Sequence, residues 1–239
     1  MRLWCAVISL LATAGVALAA PPAQAYEEAP VDDGGTIKGK VVYNGQVPTR
    51  TILPTKDQEV CGEMREEPEV IVGSDGAVQD SVVYLDGVEQ GKAWPAEAKE
   101  PVLDNKDCRF QPNVQAIASG KLGVHNSDPM LHNTHGFYGR RTAFNIALPN
   151  QGQTIDVDLP RSGQVRIECD AHGWMLGWVY VVDNPYYAVT GEDGTFEITD
   201  VPAGEYTLVA NQAYTGPVEV EVTVESGATV EVPVELEQP

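Results

Sequence analysis

The chain has 239 residues, with 35 Asp+Glu against 15 Lys+Arg and a formal net charge of -20. That balance repels a phosphodiester backbone and argues against a nucleic-acid partner, while a basic protein would be steered towards it. The acidic residues are spread along the whole chain, so solubility is the first reason for them and partner recruitment the second.

Arg2 precedes an apolar run, Leu3 to Ala19, and Ala23-Gln24-Ala25 offers a small-x-small cleavage site. Residues 1–25 therefore read as a signal peptide cut before Tyr26, and Cys5 leaves with it. The run is too short and wrongly flanked for a lasting span, and no later stretch is apolar enough for one. The mature protein is expected without a membrane span, in the periplasm or outside the cell.

Residues 26–34 read as a linker. After them come short β runs: Thr36–Tyr43, ending at the turn Asn44-Gly45, then Ser81–Leu85, Val114–Ala118, Lys121–Val124, Thr154–Leu159, Val165–Cys169 and Trp178–Val182. Gly194–Ile198, Glu205–Ala210, Val218–Val224 and Thr229–Leu236 complete the series. Gly, Pro, Asn and Asp punctuate them as in sandwiches and barrels. No amphipathic helix of ordinary length appears, and Glu89 to Glu100 offers one turn or a loop. The fold class is all-β. After Asp183 the chain loses Cys and His and becomes a Val/Glu/Thr alternation.

The stretch Cys169-Asp170-Ala171-His172-Gly173-Trp174-Met175 sets a thiolate, an imidazole and a thioether in one loop, and Leu131-His132-Asn133 offers a second imidazole upstream. Soft sulfur with two imidazoles selects copper, and a trigonal His₂Cys set with a weak axial Met is an electron-transfer geometry. The three cysteines left after export are an odd number, and a metal-bound Cys169 accounts for the odd one. Cys61 and Cys108 then pair as a disulfide closing a long loop, with a contribution of roughly 4 kcal/mol in the chain-entropy model. His125 reads as a satisfied polar residue. His135 reads as a surface or outer imidazole rather than a fifth ligand, although on a strand it would share the face of His132. Met130, Phe137, Trp174 and Leu176 would form an apolar rim that lets a partner dock close to His172.

The segment Gly120 to Asn133 together with Cys169-x-x-His172-x-x-Met175 resembles the cupredoxin family, nearest the amicyanin and plastocyanin group, over residues 105–184. The resemblance implies a Greek-key sandwich holding one type 1 copper on His132, Cys169, His172 and Met175, with Asn133 tying the two ligand loops together. A dinuclear purple site would need a second cysteine in the loop, and multicopper oxidases or nitrite reductases need more than the four histidines present. No Ser-His-Asp array, phosphate-binding Gly loop or metalloprotease helix appears. The chain is read as an electron carrier, not an enzyme, whose partner is a redox protein, with a basic one favoured by the acidic surface.

Residues 185–239 carry Gly191-Glu192-Asp193-Gly194-Thr195-Phe196-Glu197-Ile198 and Val201-Pro202-Ala203-Gly204-Glu205-Tyr206-Thr207-Leu208, which resemble the carboxypeptidase regulatory-like, transthyretin-like sandwich. Four strands are few for an independent sandwich, where roughly seven are usual. Residues 35–104 are therefore expected to supply the missing strands, with the copper domain inserted between two halves of one sandwich. Three consecutive domains are the rival layout. The alternative function is a binding module whose sandwich grips a glycan or a protein, with copper storage or sensing secondary.

Overall fold

The structure, a computed structural model, describes residues 26–239; the signal peptide expected over 1–25 lies outside the described residues. The first stretch holds strands β1 (Glu27–Glu28), β2 (Gly35–Tyr43), β3 (Thr49–Ile52), β4 (Arg65–Pro68), β5 (Val82–Asp86) and β6 (Gln90–Gly91), with one-turn helices α1 (Gln58–Cys61) and α2 (Ala96–Lys99). The middle holds β7 (Val102–Lys106), β8 (Arg109–Gln111), β9 (Val114–Ala118), β10 (Gly120–Asn126), β11 (His132–Tyr138), β12 (Arg141–Leu148), β13 (Gln153–Leu159), β14 (Gly163–Cys169) and β15 (Leu176–Val182). The end holds β16 (Tyr187–Val189), β17 (Thr195–Val201), β18 (Gly204–Gln212), β19 (Gly216–Val224), β20 (Thr229–Glu231) and β21 (Val234–Leu236).

Two β-sandwiches result. In the inner one, the five-stranded sheet β12-β11-β14-β15-β9 and the four-stranded sheet β13-β10-β7-β8 enclose a core that includes Leu103, Phe110, Leu122, Val124, Leu148 and Ile167. In the outer one, β16-β5-β18-β19 faces β17-β2-β20, with β21 also on β2, around Ile37, Val41, Leu85, Phe196, Ile198 and Leu208. Strands β2 and β5 thus pair with strands after residue 186, on either side in sequence of the inner sandwich. Val82, Val114, Ala116, Tyr180 and Val182 are buried together where the two sandwiches abut.

The alternation of apolar and charged residues explains most strands directly. In β17, Phe196 and Ile198 turn inward while Thr195 and Glu197 face solvent, the period-2 pattern of a half-buried strand. Gly194, at φ +68°, makes the turn into it, a conformation costly for a residue with a Cβ. Gly39 answers a different need: a Cβ there would lie 2.0 Å from the Val232 carbonyl oxygen and 2.6 Å from the Phe196 ring.

Several expectations are amended. The strand expected over Thr229–Leu236 is split into β20 and β21 around Val232 and Pro233, and both halves pair parallel with β2; proline has no N–H to give a ladder. The boundary expected at residue 105 falls inside β7, which lies beside β10 in the inner sandwich. Residues 49–68 do not pair with the outer sandwich; β3 and β4 form a separate hairpin. Strands β11 and β12 lie outside the expected series. The inward positions of β11 are His132, Thr134 and Gly136, which give no apolar alternation, whereas β12 does alternate, with Phe144, Ile146 and Leu148 on its inner side.

Candidate metal centre

Antiparallel register brings the first two ligand candidates together. On β11 and β14, Thr134 lies opposite Cys169, so His132, one inward position before Thr134, reaches the end of the sheet where Cys169 sits. Successive turns carry the chain from there: His172 N–H donates to the Cys169 carbonyl at 3.2 Å, and Met175 N–H donates to the His172 carbonyl at 2.9 Å. His172 and Met175 are thereby folded back over Cys169. His132 and His172 are fully buried, and Cys169 and Met175 nearly so.

Inside this pocket the Cys169 Sγ lies 3.8 Å from His132 Nδ1 and 3.7 Å from His172 Nδ1, and the two Nδ1 atoms are 3.1 Å apart. Met175 belongs to the same apolar cluster as Cys169. Each imidazole has its outer nitrogen on a carboxylate: His132 Nε2 donates to Asp128 Oδ2 at 2.9 Å and His172 Nε2 donates to Asp57 Oδ2 at 2.9 Å. With each ring in the Nε2–H tautomer that these bonds favour, two Nδ1 lone pairs face each other. Without a cation between them that arrangement is repulsive; with one it is the carboxylate–histidine–metal pattern that fixes tautomer and orientation. The donor set fits a soft transition metal: two neutral imidazoles, one thiol and a nearby thioether.

The electrostatics agree with that fit. Burial, the largest influence, holds the His132 imidazole below its ordinary value; Asp128 opposes this and His172 adds to it. The ring therefore stays neutral, the form that ligates. Burial likewise pushes the Cys169 thiol up, against backbone N–H groups that favour its thiolate. Neutralising that buried thiolate is work for a bound cation.

Around the pocket most polar groups are paired, with Asn133 Oδ1 and Trp174 Nε1 buried and without a hydrogen-bond partner. Asp128 also accepts from the Asp107 and Cys108 backbone N–H groups at 2.8 and 2.9 Å. Asn126 Oδ1 accepts from Asp128 N–H at 3.0 Å, and Thr134 donates to Asn105 Oδ1 at 3.2 Å. Asn133 ties the two ligand segments through its backbone: its N–H points at Cys169 Sγ at 3.4 Å and its carbonyl accepts from Asp170 N–H at 3.2 Å. Its side chain instead donates to Asn145 at 2.9 Å.

Other expectations resolve as follows. Cys61 and Cys108 form the disulfide. His125 pairs with Thr154 Oγ1 at 2.7 Å, away from the pocket. His135 does not share the face of His132. Three positions apart on one strand they point to opposite sides, and His135 meets Asp170 at 3.2 Å and Thr142 at 2.9 Å on the outside. The apolar rim is not an open approach to His172, since Asp57 covers its outer nitrogen. Instead, a cleft of about 430 Å³, lined by Arg50, Glu67, Arg109, Trp174 and Met175 among others, reaches the centre from the Met175 side.

Sequence reasoning missed Asp128 and Asp57. Asp128 stands four residues before His132 and was open to a sequence reading as a partner of that histidine. Asp57 is 115 positions from His172, and no local pattern connects them.

No family model matches the chain, and no curated protein does. Among solved structures, amicyanin from Paracoccus versutus is 20% identical, with 37% of this chain and 84% of that one covered and a TM-score of 0.32. A purple cupredoxin from Nitrosopumilus maritimus is 24% identical over 30% of this chain and 81% of its own, with a TM-score of 0.28. A copper-containing nitrite reductase from Thermus scotoductus SA-01 is 16% identical, with a TM-score of 0.32; 36% of this chain is covered, and only 23% of the reductase.

Proposed function

We propose that the chain is an exported one-electron carrier that would hold a single type 1 copper on His132, Cys169 and His172, with Met175 as a fourth, weaker donor. The observation that carries this reading is the convergence of two Nδ1 atoms and one Sγ within 3.1–3.8 Å in a buried pocket. Copper would supply one-electron exchange between Cu(I) and Cu(II). The protein's part is to hold and seal. Asp128 and Asp57 fix both imidazoles from outside, and the backbone N–H of Asn133 faces the sulfur. Burial of all four side chains keeps water out, so the same donor positions serve both oxidation states. The acidic surface is suited to drawing a basic redox protein, with an association rate that falls steeply as salt is added.

The test is optical. Addition of Cu(II) to the purified mature protein is expected to give an intense blue band with a narrow copper hyperfine splitting in its paramagnetic resonance spectrum, and Cys169→Ala is expected to abolish both. A colourless complex would sink electron transfer and leave metal storage or zinc.

A further inference from the structure

Residues 49–68 hold a hairpin that pairs with neither sandwich, and they lie against the candidate metal pocket. The hairpin β3–β4 carries α1 at its tip, and Asp57 opens that turn: its carbonyl accepts from Val60 and Cys61 N–H at 3.0 and 2.9 Å. Asp57 and Cys61 are thus held by one turn of backbone. Cys61 is bonded to Cys108. Cys108 N–H donates to Asp128, which grips His132, while Asp57 grips His172. The disulfide therefore joins the two carboxylates that orient the two imidazoles. Its sulfurs and a ring nitrogen of His172 lie within 4.8 Å of one another, as do the Cys108 sulfur, Asp128 and His132. The hairpin is pinned at its other end too. Glu67 accepts from Arg109 of β8 at 2.9 Å, and Arg50 reaches the Trp174 carbonyl at 3.5 Å.

We infer that residues 49–68 are a disulfide-riveted cap over the metal centre and that Asp57 is the positioning residue that sets the tautomer and orientation of His172 from that cap. The alternative, that Asp57 is an ordinary surface carboxylate, does not account for a fully buried His172 whose Nε2 hydrogen bond goes to this side chain, held at φ +52° by a turn tied to the disulfide. The positive φ is sustained because Asp tolerates it, and the result is that its Oδ2 sits where the imidazole N–H must point. The cap also makes His172 an interior ligand, so electrons reach a partner by way of another part of the pocket wall.

This inference rests on the metal reading for its purpose but not for its test. In the metal-free mature protein, nitrogen-15 spectra are expected to show His172 as the Nε2–H tautomer with a slowly exchanging ring proton. Asp57→Gly, which accepts the same φ without strain, is expected to mix the tautomers and expose that proton. Asp57→Asn, which keeps an acceptor, should restore the wild-type pattern, and Glu59→Gln, on the same turn, should change nothing. In chelator competition for Cu(I), Asp57→Gly should weaken binding about 10–100-fold, the usual effect of removing an outer partner of a ligating histidine. An unchanged tautomer and proton exchange in Asp57→Gly overturns the cap and its positioning residue, whether or not copper turns the protein blue. A colourless protein whose His172 still responds to Asp57 removes the electron carrier and leaves the cap standing.

Discussion

The two sandwiches spend buried polarity in different ways. In the outer one the buried polar residues are Ser81, Asn184, Thr190 and Gln212, and their recorded bonds serve the course of the chain. Thr190 accepts from Ser81 N–H and donates to the Val78 carbonyl; Asn184 joins the Leu85 carbonyl to Tyr186 N–H. In the inner one Asn105, Asn126, Asp128, His132, Thr134 and His172 are buried together with Cys169, and several of them line or support the candidate metal pocket. Buried polar groups cost stability unless paired, so a sandwich that needs only to fold keeps few and neutral ones. The inner sandwich buries a carboxylate and two imidazoles around one pocket, and the bonds that pair them specify its geometry.

The largest effect that separates the regions comes from cavities. Leu85→Ala in the outer core and Ile167→Ala in the inner core remove fully buried side chains, and each is expected to cost about 2–5 kcal/mol in chemical denaturation. They should part company in the metal signal. Ile167 lies two positions before Cys169 on β14, so its loss should alter the copper absorption of the folded protein, whereas Leu85→Ala should leave it unchanged. A matching spectral change in Leu85→Ala would erase the distinction and make the outer sandwich part of the centre.

Next in size is Asp128. Replacement by Ala strands the Asp107 and Cys108 N–H groups and the His132 Nε2–H, with an expected cost of about 1–3 kcal/mol for each buried donor left without a partner. Copper affinity should fall about 10–100-fold alongside. Loss of stability with unchanged affinity, read by denaturation and by chelator competition, would make Asp128 a turn residue like Asn184 and blur the two regions.

The sequence spoke unevenly about these regions, for physical reasons. That Cys169, His172 and Met175 lie in one pocket was legible because one loop carries three candidate ligand types, and His132 joined them as the second imidazole that the sequence offered beside Asn133. The strands of the outer sandwich were legible because apolar and charged residues alternate, as in Val218–Val224. Strand β11 was not, since a strand whose inner face is built of His, Thr and Gly has no apolar rhythm; β12, with Phe144, Ile146 and Leu148 inward, carried the rhythm and was still passed over. Asp57 was out of reach for another reason: the contact is made by a tethered hairpin whose own strands read Thr49-Arg50-Thr51-Ile52 and Arg65-Glu66-Glu67-Pro68, more charged linker than structure. Local pattern reports which residues prefer an interior; it carries no record of which distant loop closes over them.

The smallest expected effect tests whether the outer sandwich is as free of costly charge as its core suggests. Asp80, at φ +61°, stands just before β5, with its N–H on the Thr190 carbonyl at 2.9 Å. Burial pushes its carboxyl above the ordinary range, only partly offset by Gln79. A carboxyl whose folded value is raised holds its proton more tightly in the native state than in the unfolded chain. Its favourable contribution is therefore complete at pH below the unfolded value and is lost as pH rises through the folded one. At neutral pH the ionised group is a small burden. Asp80→Asn keeps a side chain that tolerates the left-handed backbone and removes the charge, so it should stabilise the protein at pH 7 by up to about 0.5 kcal/mol and not at pH 3. The comparison of thermal midpoints at the two pH values reads this directly. Equal shifts at both would mean that the substitution acts through the turn, and that the outer sandwich is indifferent to this charge.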